Sequence, residues 1–261
     1  MMAQRMHTGL KLHLGVFFAF LYVPVLVLMV LSFNRAGLPT VWSGFSLEWY
    51  GRLFNADPII NAARNTIIVA VVSTLLATVI GTLLAVGVET RRSSPLLDAI
   101  LFAPMIIPDI VLAIALLSFY TAISLTLGLH SIILSHVVFN IAFVVAVVRT
   151  RMRHFDQSVL EASADLGASE FTTFRRVLLP AIAPGVIAGA LLSFTLSVDE
   201  FIIAFFTAGA GQGSTTLPMQ IYSMIRFGVT PEINAMATIV MLVSFTLVLL
   251  AQRADRRVFT Q

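Results

Sequence analysis

The chain has 261 residues, of which 58% are hydrophobic and only 11% are charged. A soluble domain carries roughly 25% charged residues, because polar side chains must cover its surface. The composition therefore excludes an ordinary soluble globule and predicts an integral membrane protein. The chain has no cysteine, which excludes a disulfide framework, a thiolate metal site and a cysteine nucleophile. Its only lysine is Lys11, and the absence of a Gly-Lys-Ser/Thr step excludes ATP hydrolysis at a P-loop.

Six apolar stretches are long enough to cross a bilayer. A spanning helix needs about 20 apolar residues, whereas a barrel strand shows alternation over about ten. The runs are continuous, so we predict an all-α polytopic protein with six transmembrane helices. The first run is too long for the core of a signal peptide and no cleavage site follows it, so it is expected to be retained. The predicted spans are Leu14–Phe33, Ile67–Val88, Leu96–Tyr120, Ser131–Val148, Val186–Thr207 and Asn234–Gln252.

The distribution of basic residues predicts the orientation of these spans, because cytoplasmic loops carry an excess of Lys and Arg. Placing both termini in the cytoplasm puts 12 of the 16 basic residues inside and four outside. The net charge of +3 is thus attributed to topology, and nucleic-acid binding is not expected. The alternative is a missed or added span, and Leu96–Tyr120 is the weakest because Pro104 and Pro108 interrupt it. The four outside residues are Arg35, Arg52, Arg64 and Arg226.

A long inside segment, residues 149–185, has a helical pattern and is not of low complexity. Asp156 is placed to cap a first helix with an apolar side, and Gly167 is placed to end it. Ser169 is placed to cap a second short helix that ends near Pro180. An ordered loop with an apolar stripe needs a surface to pack against.

The core of this segment runs from Glu161-Ala162-Ser163 through Gly167 to Val177 and Leu179-Pro180. It resembles the EAA signature of bacterial ABC-importer permeases, with Ser163 where the family usually has Ala. The resemblance implies a helix–turn–helix that docks on a cytoplasmic ATPase subunit and transmits its movement. The alternative from the residues alone is an amphipathic loop on the lipid surface. The expected coupling residues are Glu161, Ala162, Ser163, Gly167, Ala168, Ser169, Leu179 and Pro180.

The resemblance extends from about Leu21 to Leu250 and is to the PotC-type permeases of spermidine/putrescine importers. It is carried by the segments that start at Phe139, Leu192, Leu217 and Gly228. It implies the type I ABC-importer permease fold with a MetI-like core, as one transmembrane domain over residues 1–261 in the bacterial inner membrane. The implied partners are a second homologous permease of different sequence, two ATPase copies that bind ATP and Mg²⁺, and an extracytoplasmic solute-binding protein. No cofactor is expected in this chain.

Three carboxylates lie inside predicted spans: Asp109, Asp199 and Glu200. Each costs roughly 2.5–3.5 kcal/mol at a helix centre, so intramembrane acids are functional candidates. Asp109 and Asp199 each lie 13 residues into their spans, at about 20 Å from the inner face. We expect an acidic ring along the path of a cationic solute. Asp199 and Glu200, adjacent on one helix, are expected to point about 100° apart, and a structural hydrogen bond is the alternative for each acid.

Aromatic side chains near these acids can contact an ammonium group through their ring faces. Phe194, Phe201 and Tyr222 are the candidates, although 20 phenylalanines make lipid-facing or core positions the more common outcome. The histidines are expected at the surface or the membrane interface, because none has metal-ligand spacing. They are His7, His13, His130, His136 and His154.

These features together predict one permease subunit of an ATP-driven importer of a small cationic solute, most readily a polyamine. Another amine or amino-acid-like solute remains open. Residues 34–66 and 209–214 are expected to face the binding protein. The alternative from another class is a secondary transporter in which the three acids carry protons. A membrane enzyme is disfavoured, because no catalytic constellation is found.

Overall fold

The structure is a computed structural model that describes residues 8–37, 41–90, 94–226, 228 and 230–258. In this part of the chain the secondary structure is helical, apart from one isolated bridge between Asn34 and Phe45. The helices are α1 Thr8–Leu31, α2 Glu48–Phe54, α3 Asp57–Thr90, α4 Pro95–Ile106, α5 Asp109–Ala122, α6 Leu129–Arg153, α7 Ser158–Asp165, α8 Glu170–Thr173, α9 Leu179–Asp199, α10 Ile202–Thr207, α11 Leu217–Ile225 and α12 Pro231–Val258.

Among the described residues, four helical segments are long and apolar enough to cross a membrane, and the bent pair α4–α5 makes up to five. The protein is therefore a multi-pass membrane protein. The sixth predicted span, Asn234–Gln252, falls within α12, of which Pro231–Val243 is an apolar helix. The count of six and the cytoplasmic side of both termini stay predictions. The four long segments are Gly9–Leu31, Asp57–Thr90, Leu129–Arg153 and Glu170–Asp199.

The chain divides into two compact units. The first comprises the described residues up to Ile60 and from Ile221 onward, in which α12 packs on α1 and α2. Its connection after α1 is ordered around the buried Asn34, whose amide donates to the carbonyl of Val41 at 2.7 Å. The indole of Trp49 donates to the Asn34 carbonyl at 2.8 Å. This connection is therefore a folded cap with a short helix, rather than an open loop.

The second unit, Asn61–Gln220, is built on close packing of α6 against α9 and of α3 against α6. Glycines make the close approach possible, as is common between membrane helices. A Cβ atom built on Gly81 of α3 would lie 2.8 Å from Val144 of α6, and one on Gly185 of α9 would lie 2.6 Å from Arg151. The main hydrophobic cluster lies along this contact. It contains Ala77, Ala85, Val144, Val145, Val148, Met152, Leu178 and Ile182.

The predicted span Leu96–Tyr120 is broken at the second of its two prolines, because the chain there forms two helices. α4 ends at Ile106, α5 begins at Asp109, and their axes are bent by 109°. Pro108 has no amide hydrogen and disfavours the helical conformation of the residue before it, and Ile107 is accordingly extended with ψ 134°. The predicted depth of Asp109, which assumed a straight helix, is therefore withdrawn.

The expected end of the second inside helix near Pro180 is wrong. α8 continues through a π-helical turn, Phe174–Leu178, directly into α9, so that Glu170–Asp199 forms one helical segment of 30 residues. A proline lacks a backbone donor and its ring crowds the preceding turn. The wider π turn lies directly before Pro180, where it relieves this crowding, and π turns of this kind are frequent at functional sites. At 1.5 Å per residue the segment is about 45 Å long.

Candidate coupling segment and acidic site

A tight turn separates α7 from α8 and is set by Gly167. The amide of Gly167 donates to the carbonyl of Ala164 at 2.8 Å, and the amide of Ala168 donates to that of Ser163 at 3.1 Å. These two bonds form a Schellman motif, in which the residue after the helix adopts a left-handed conformation. Gly167 has φ +78°, a value that costs a residue with a Cβ atom about 1–2 kcal/mol. The predicted role of Gly167 as helix stop is confirmed.

Side-chain hydrogen bonds hold the two sides of this turn together. The hydroxyl of Ser169 accepts from the amide of Thr172 at 3.3 Å, which confirms its predicted capping role. The hydroxyls of Ser163 and Thr173 lie 2.8 Å apart and join α7 to α8. Asp156 accepts from the amide of Ser158 at 3.0 Å, and the side-chain and backbone hydrogen bonds from Ser158 hold the pKa of Asp156 below its usual range. The segment is thus ordered by its own sequence.

One side of the segment packs against the rest of the second unit, and the other side is exposed. Leu160, Phe174 and Leu178 pack on the cluster at the ends of α3 and α6. In contrast, Leu166 is 88% exposed and Phe171 is 70% exposed. The apolar side expected for the first helix is therefore divided. Leu160 of α7 packs inward, whereas Leu166, directly after α7, is exposed. Exposed apolar side chains on an ordered turn can be covered by a partner protein or by the membrane surface.

The eight expected coupling residues lie together on this segment and at the start of α9. Glu161, Ala162, Gly167, Ser169 and Pro180 are exposed, and Ser163, Ala168 and Leu179 are half-buried. Between this segment and the end of α3 lies a groove of about 510 Å³. Its walls include Leu83, Val86, Thr90, Ala164, Ala168 and Glu170. The coupling function of these residues stays a prediction.

The three carboxylates lie at two helix breaks of the second unit. Asp109 is the first residue of α5, Asp199 is the last residue of α9, and Glu200 lies in the extended turn before α10. The structure places Asp109 and Asp199 near enough to Glu200 for both to act on it electrostatically. They meet because α5 packs against α10, with Leu112, Ala113 and Ile203 in one cluster. The two breaks that carry the three acids therefore lie near each other, and the role of these acids along a solute path stays a prediction.

Asp199 and Glu200 do not share a helix, which corrects the expected 100° separation. The chain is extended at Glu200, with ψ 118°, and one carboxylate oxygen of Glu200 accepts from the amide of Ile203 at 2.6 Å. Glu200 thus satisfies a free amide at the start of α10, as N-terminal capping side chains do. Asp199 is exposed and is the last residue of α9, and its predicted depth in the membrane stays a prediction.

The aromatic candidates differ in their positions. Phe201 lies at the second break and its ring centroid is 5.4 Å from that of Phe205. Phe194 is half-buried on α9, five residues before Asp199. Tyr222 belongs to the other compact unit and is exposed. The contact of these three rings with a cation stays a prediction.

A buried polar seam between α3, α6 and α9 was missed by the sequence analysis. His136 was expected at the surface or interface, but it is 1% exposed, and its Nδ1 lies 2.6 Å from the hydroxyl of Ser197. That hydroxyl lies 3.1 Å from the hydroxyl of Ser73. Asn140, one turn after His136, is also buried. The four-residue spacing of His136 and Asn140 was the available signal, since both fall on one helix face.

An ion-pair cluster at the end of α6 was also missed. Arg149 was placed in the inside loop, but α6 continues to Arg153 and Arg149 is 8% exposed. Its guanidinium pairs with Glu89 of α3 at 3.0 Å and with Asp98 of α4 at 2.6 Å. It also lies over the ring of Phe102, 5.6 Å from the centroid. This cluster ties together the ends of three helices.

Among the described residues, no group of three or more His, Asp or Glu side chains is arranged to hold a metal ion.

Residues 77–260 match the family described as binding-protein-dependent transport system inner membrane component. The chain belongs to this family. It is 42% identical over 241 residues to the spermidine/putrescine transport system permease protein PotC of Escherichia coli K12, covering 92% of this chain and 90% of that protein. It is 39% identical over 254 residues to the putrescine transport system permease protein PotI of the same strain, covering 92% and 89%.

Solved structures of ABC transporters share the fold. A crystal structure of a bacterial ABC transporter that imports alginate superposes with a TM-score of 0.71 at 15% identity, covering 91% of this chain and 93% of that chain. The bacterial alginate transporter in complex with an alginate-bound periplasmic protein superposes with a TM-score of 0.72 at 18% identity, covering 96% and 93%. The predicted fold, that of an ABC-importer permease, is therefore confirmed.

Proposed function

We propose that this chain is the membrane-spanning subunit of an ATP-driven importer, in which it forms half of the path for a polyamine. The likeness in sequence to PotC and PotI supports putrescine or spermidine as the solute. The proposed location is the inner membrane of a bacterium, with both termini in the cytoplasm. ATP hydrolysis is assigned to a separate subunit that binds ATP and Mg²⁺.

The observation that carries this proposal is the continuous helix from Glu170 to Asp199. One end belongs to the ordered turn that exposes Leu166 and Phe171, and the other end reaches the three carboxylates. A packed helix transmits a displacement at one end to the other, because protein interiors are dense and resist compression. A partner that binds and displaces the turn at one end can thereby move the acidic site at the other end.

The acidic site suits a polyamine because its charge and placement complement a cation. A carboxylate in a low-dielectric surrounding attracts an ammonium group more strongly than it does in water. Broken helices form the solute sites of many transporters, and acidic residues within membrane segments often mark solute paths. Asp109 and Asp199 are assigned to the path, whereas Glu200 has a capping role that it can combine with a place in the path.

The proposed assembly contains a second, different permease, two ATPase subunits and an extracytoplasmic solute-binding protein. The alginate transporter has been solved with its periplasmic protein bound, which supports this class of partner. We assign Glu161, Gly167 and their neighbours to ATPase docking. The connections at 34–66 and 209–214 are assigned to the binding protein.

The experiment that tests this proposal is purification of the tagged chain in mild detergent, followed by mass spectrometry of the retained proteins and small molecules. We expect an ATPase, a second permease and a polyamine in the preparation. Uptake of putrescine by vesicles that contain only this chain and a pH gradient would instead favour a proton-coupled secondary transporter.

A further inference from the structure

A small polar pocket of about 350 Å³ lies near the N-terminal end of α3, which the proposed orientation places outside the cytoplasm. It is lined by Asn61, Arg64, Asn65 and Gly213, all of which belong to the second unit. Arg64 and Asn61 are exposed, and Gly213 contributes the backbone of the connection between α10 and α11. The pocket therefore presents a guanidinium group beside a fixed loop.

Hydrogen bonds from α3 hold this loop in place. The side-chain amide of Asn65 donates to the carbonyl oxygens of Gly213 and Thr215, each at 3.0 Å. The hydroxyl of Thr66 accepts from the amide of Leu217 at 2.7 Å, and the hydroxyl of Ser214 donates to the carbonyl of Ala208 at 2.6 Å. A site whose walls are already ordered loses little conformational freedom when a partner binds.

The charge of Arg64 is not balanced by the segments around it. Residues 58–88, 110–148 and 201–231 contain no Asp or Glu. No acidic side chain of the described residues forms an ion pair with Arg64. Arg52, which the proposed orientation also places outside, differs, since it pairs with Glu48 at 2.6 Å and lies over the ring of Trp49. The guanidinium of Arg64 is therefore available to pair with an anionic group of another molecule.

A cationic solute is repelled by this guanidinium, so the ligand is an anion. A guanidinium presents two parallel donors that match a carboxylate. We propose that Arg64 receives an Asp or Glu side chain of the solute-binding protein, and that it steers that protein onto the loop at 208–217. This proposal rests on the proposed function, because it requires a binding protein on this side of the membrane.

The first test is the association rate of the putrescine-loaded binding protein, identified by co-purification, with the complete transporter in lipid nanodiscs. We expect Arg64→Glu to slow association by about tenfold at low salt and to change dissociation less, because exposed charges act mainly on encounter. The salt dependence of association should also become shallower. The matched control is Lys11→Glu, which reverses an exposed basic residue on the opposite side of the membrane in the proposed orientation and should leave the association rate within about twofold of the wild type.

The second test uses the near absence of lysine, since Lys11 is the only one in the chain. Arg64→Lys keeps the positive charge and allows a carbodiimide to join its amine to a carboxylate in direct contact. Mass spectrometry should then find Arg64→Lys linked to an Asp or Glu of the binding protein. In the control, Arg52→Lys should link to Glu48 within the chain.

Each outcome decides the proposal. Unchanged association of Arg64→Glu, together with no link from Arg64→Lys to the binding protein, overturns it. Unchanged association, together with a loss of thermal stability in Arg64→Glu that occurs only in nanodiscs containing anionic lipid, assigns the pocket to a lipid phosphate instead, which also overturns it. If the wild-type transporter retains no binding protein at all, the proposed function itself fails.

Discussion

The coupling segment, residues 158–178, and the acidic site at Asp109, Asp199 and Glu200 lie at opposite ends of one continuous helix but are built in opposite ways. The coupling segment is ordered by local hydrogen bonds, and its most apolar side chains, Leu166 and Phe171, are exposed. The acidic site is placed by two helix breaks that are distant in sequence and meet only through the packing of α5 against α10. The proposed docking surface is thus formed by residues close in sequence, whereas the proposed solute site requires tertiary contacts.

The largest effect is expected at the coupling end. Glu161 is exposed, so Glu161→Lys should leave the fold intact while reversing a charge that we propose to face the ATPase. We expect putrescine uptake to fall by about 100-fold, as for the loss of a charge pair that becomes buried at an interface. Uptake by intact cells measures this.

The matched comparison is Glu161→Asp, which keeps the negative charge at the same exposed position. It should keep uptake within about twofold of the wild type. The binding protein should bind the Glu161→Lys transporter with unchanged affinity. Normal uptake by Glu161→Lys would remove the coupling role from this segment.

At the acidic end, Asp199→Asn removes a charge that is not used in a cap, and uptake of a dication should fall by about tenfold. The comparison variant is Glu200→Gln, in which the side-chain oxygen that accepts from Ile203 is kept. Uptake is measured at several putrescine concentrations, together with the amount of assembled complex. The two measurements distinguish a role of Asp199 in the solute path from a role in assembly. Equal uptake by Asp199→Asn and wild type at every putrescine concentration would exclude the path role.

A smaller effect is expected from substitution of the glycine that forms the turn between α7 and α8. Gly167 has φ +78° and open space around it, so Gly167→Ala pays only the backbone cost of about 1–2 kcal/mol. Gly87, within α3 and also with open space around it, is the control, since Gly87→Ala should stabilise by about 0.5–1 kcal/mol. Hydrogen exchange of α7 and α3 reports both changes. Equal protection of α7 in wild type and Gly167→Ala would show that the left-handed turn is not needed.

The smallest effect concerns the position at which the segment departs from the usual signature. Ser163→Ala restores the usual residue and removes the hydrogen bond to Thr173. We expect a local loss of about 0.5–1.5 kcal/mol, seen as faster exchange of α8 amides, with uptake nearly unchanged. A slower exchange of α8 in this variant would show that the hydroxyl pair does not stabilise the turn.

Much of the coupling segment was predictable, because capping residues and left-handed glycines act through near neighbours in sequence. Gly167 and Ser169 both occupy the predicted roles. The continuation past Pro180 was not predictable, since a π turn depends on how the helix packs as well as on the proline. The grouping of Asp109 with Glu200 and the burial of His136 depend on contacts between distant segments, which hydropathy does not report.

The most direct test of the account is transport by the purified chain in sealed vesicles, measured with labelled putrescine. We expect no uptake by the chain alone, and uptake only when the ATPase, the second permease, the binding protein and ATP are all supplied. Uptake without nucleotide and without the companion proteins would contradict the account, because the account assigns the driving force to an ATPase that binds residues 158–178.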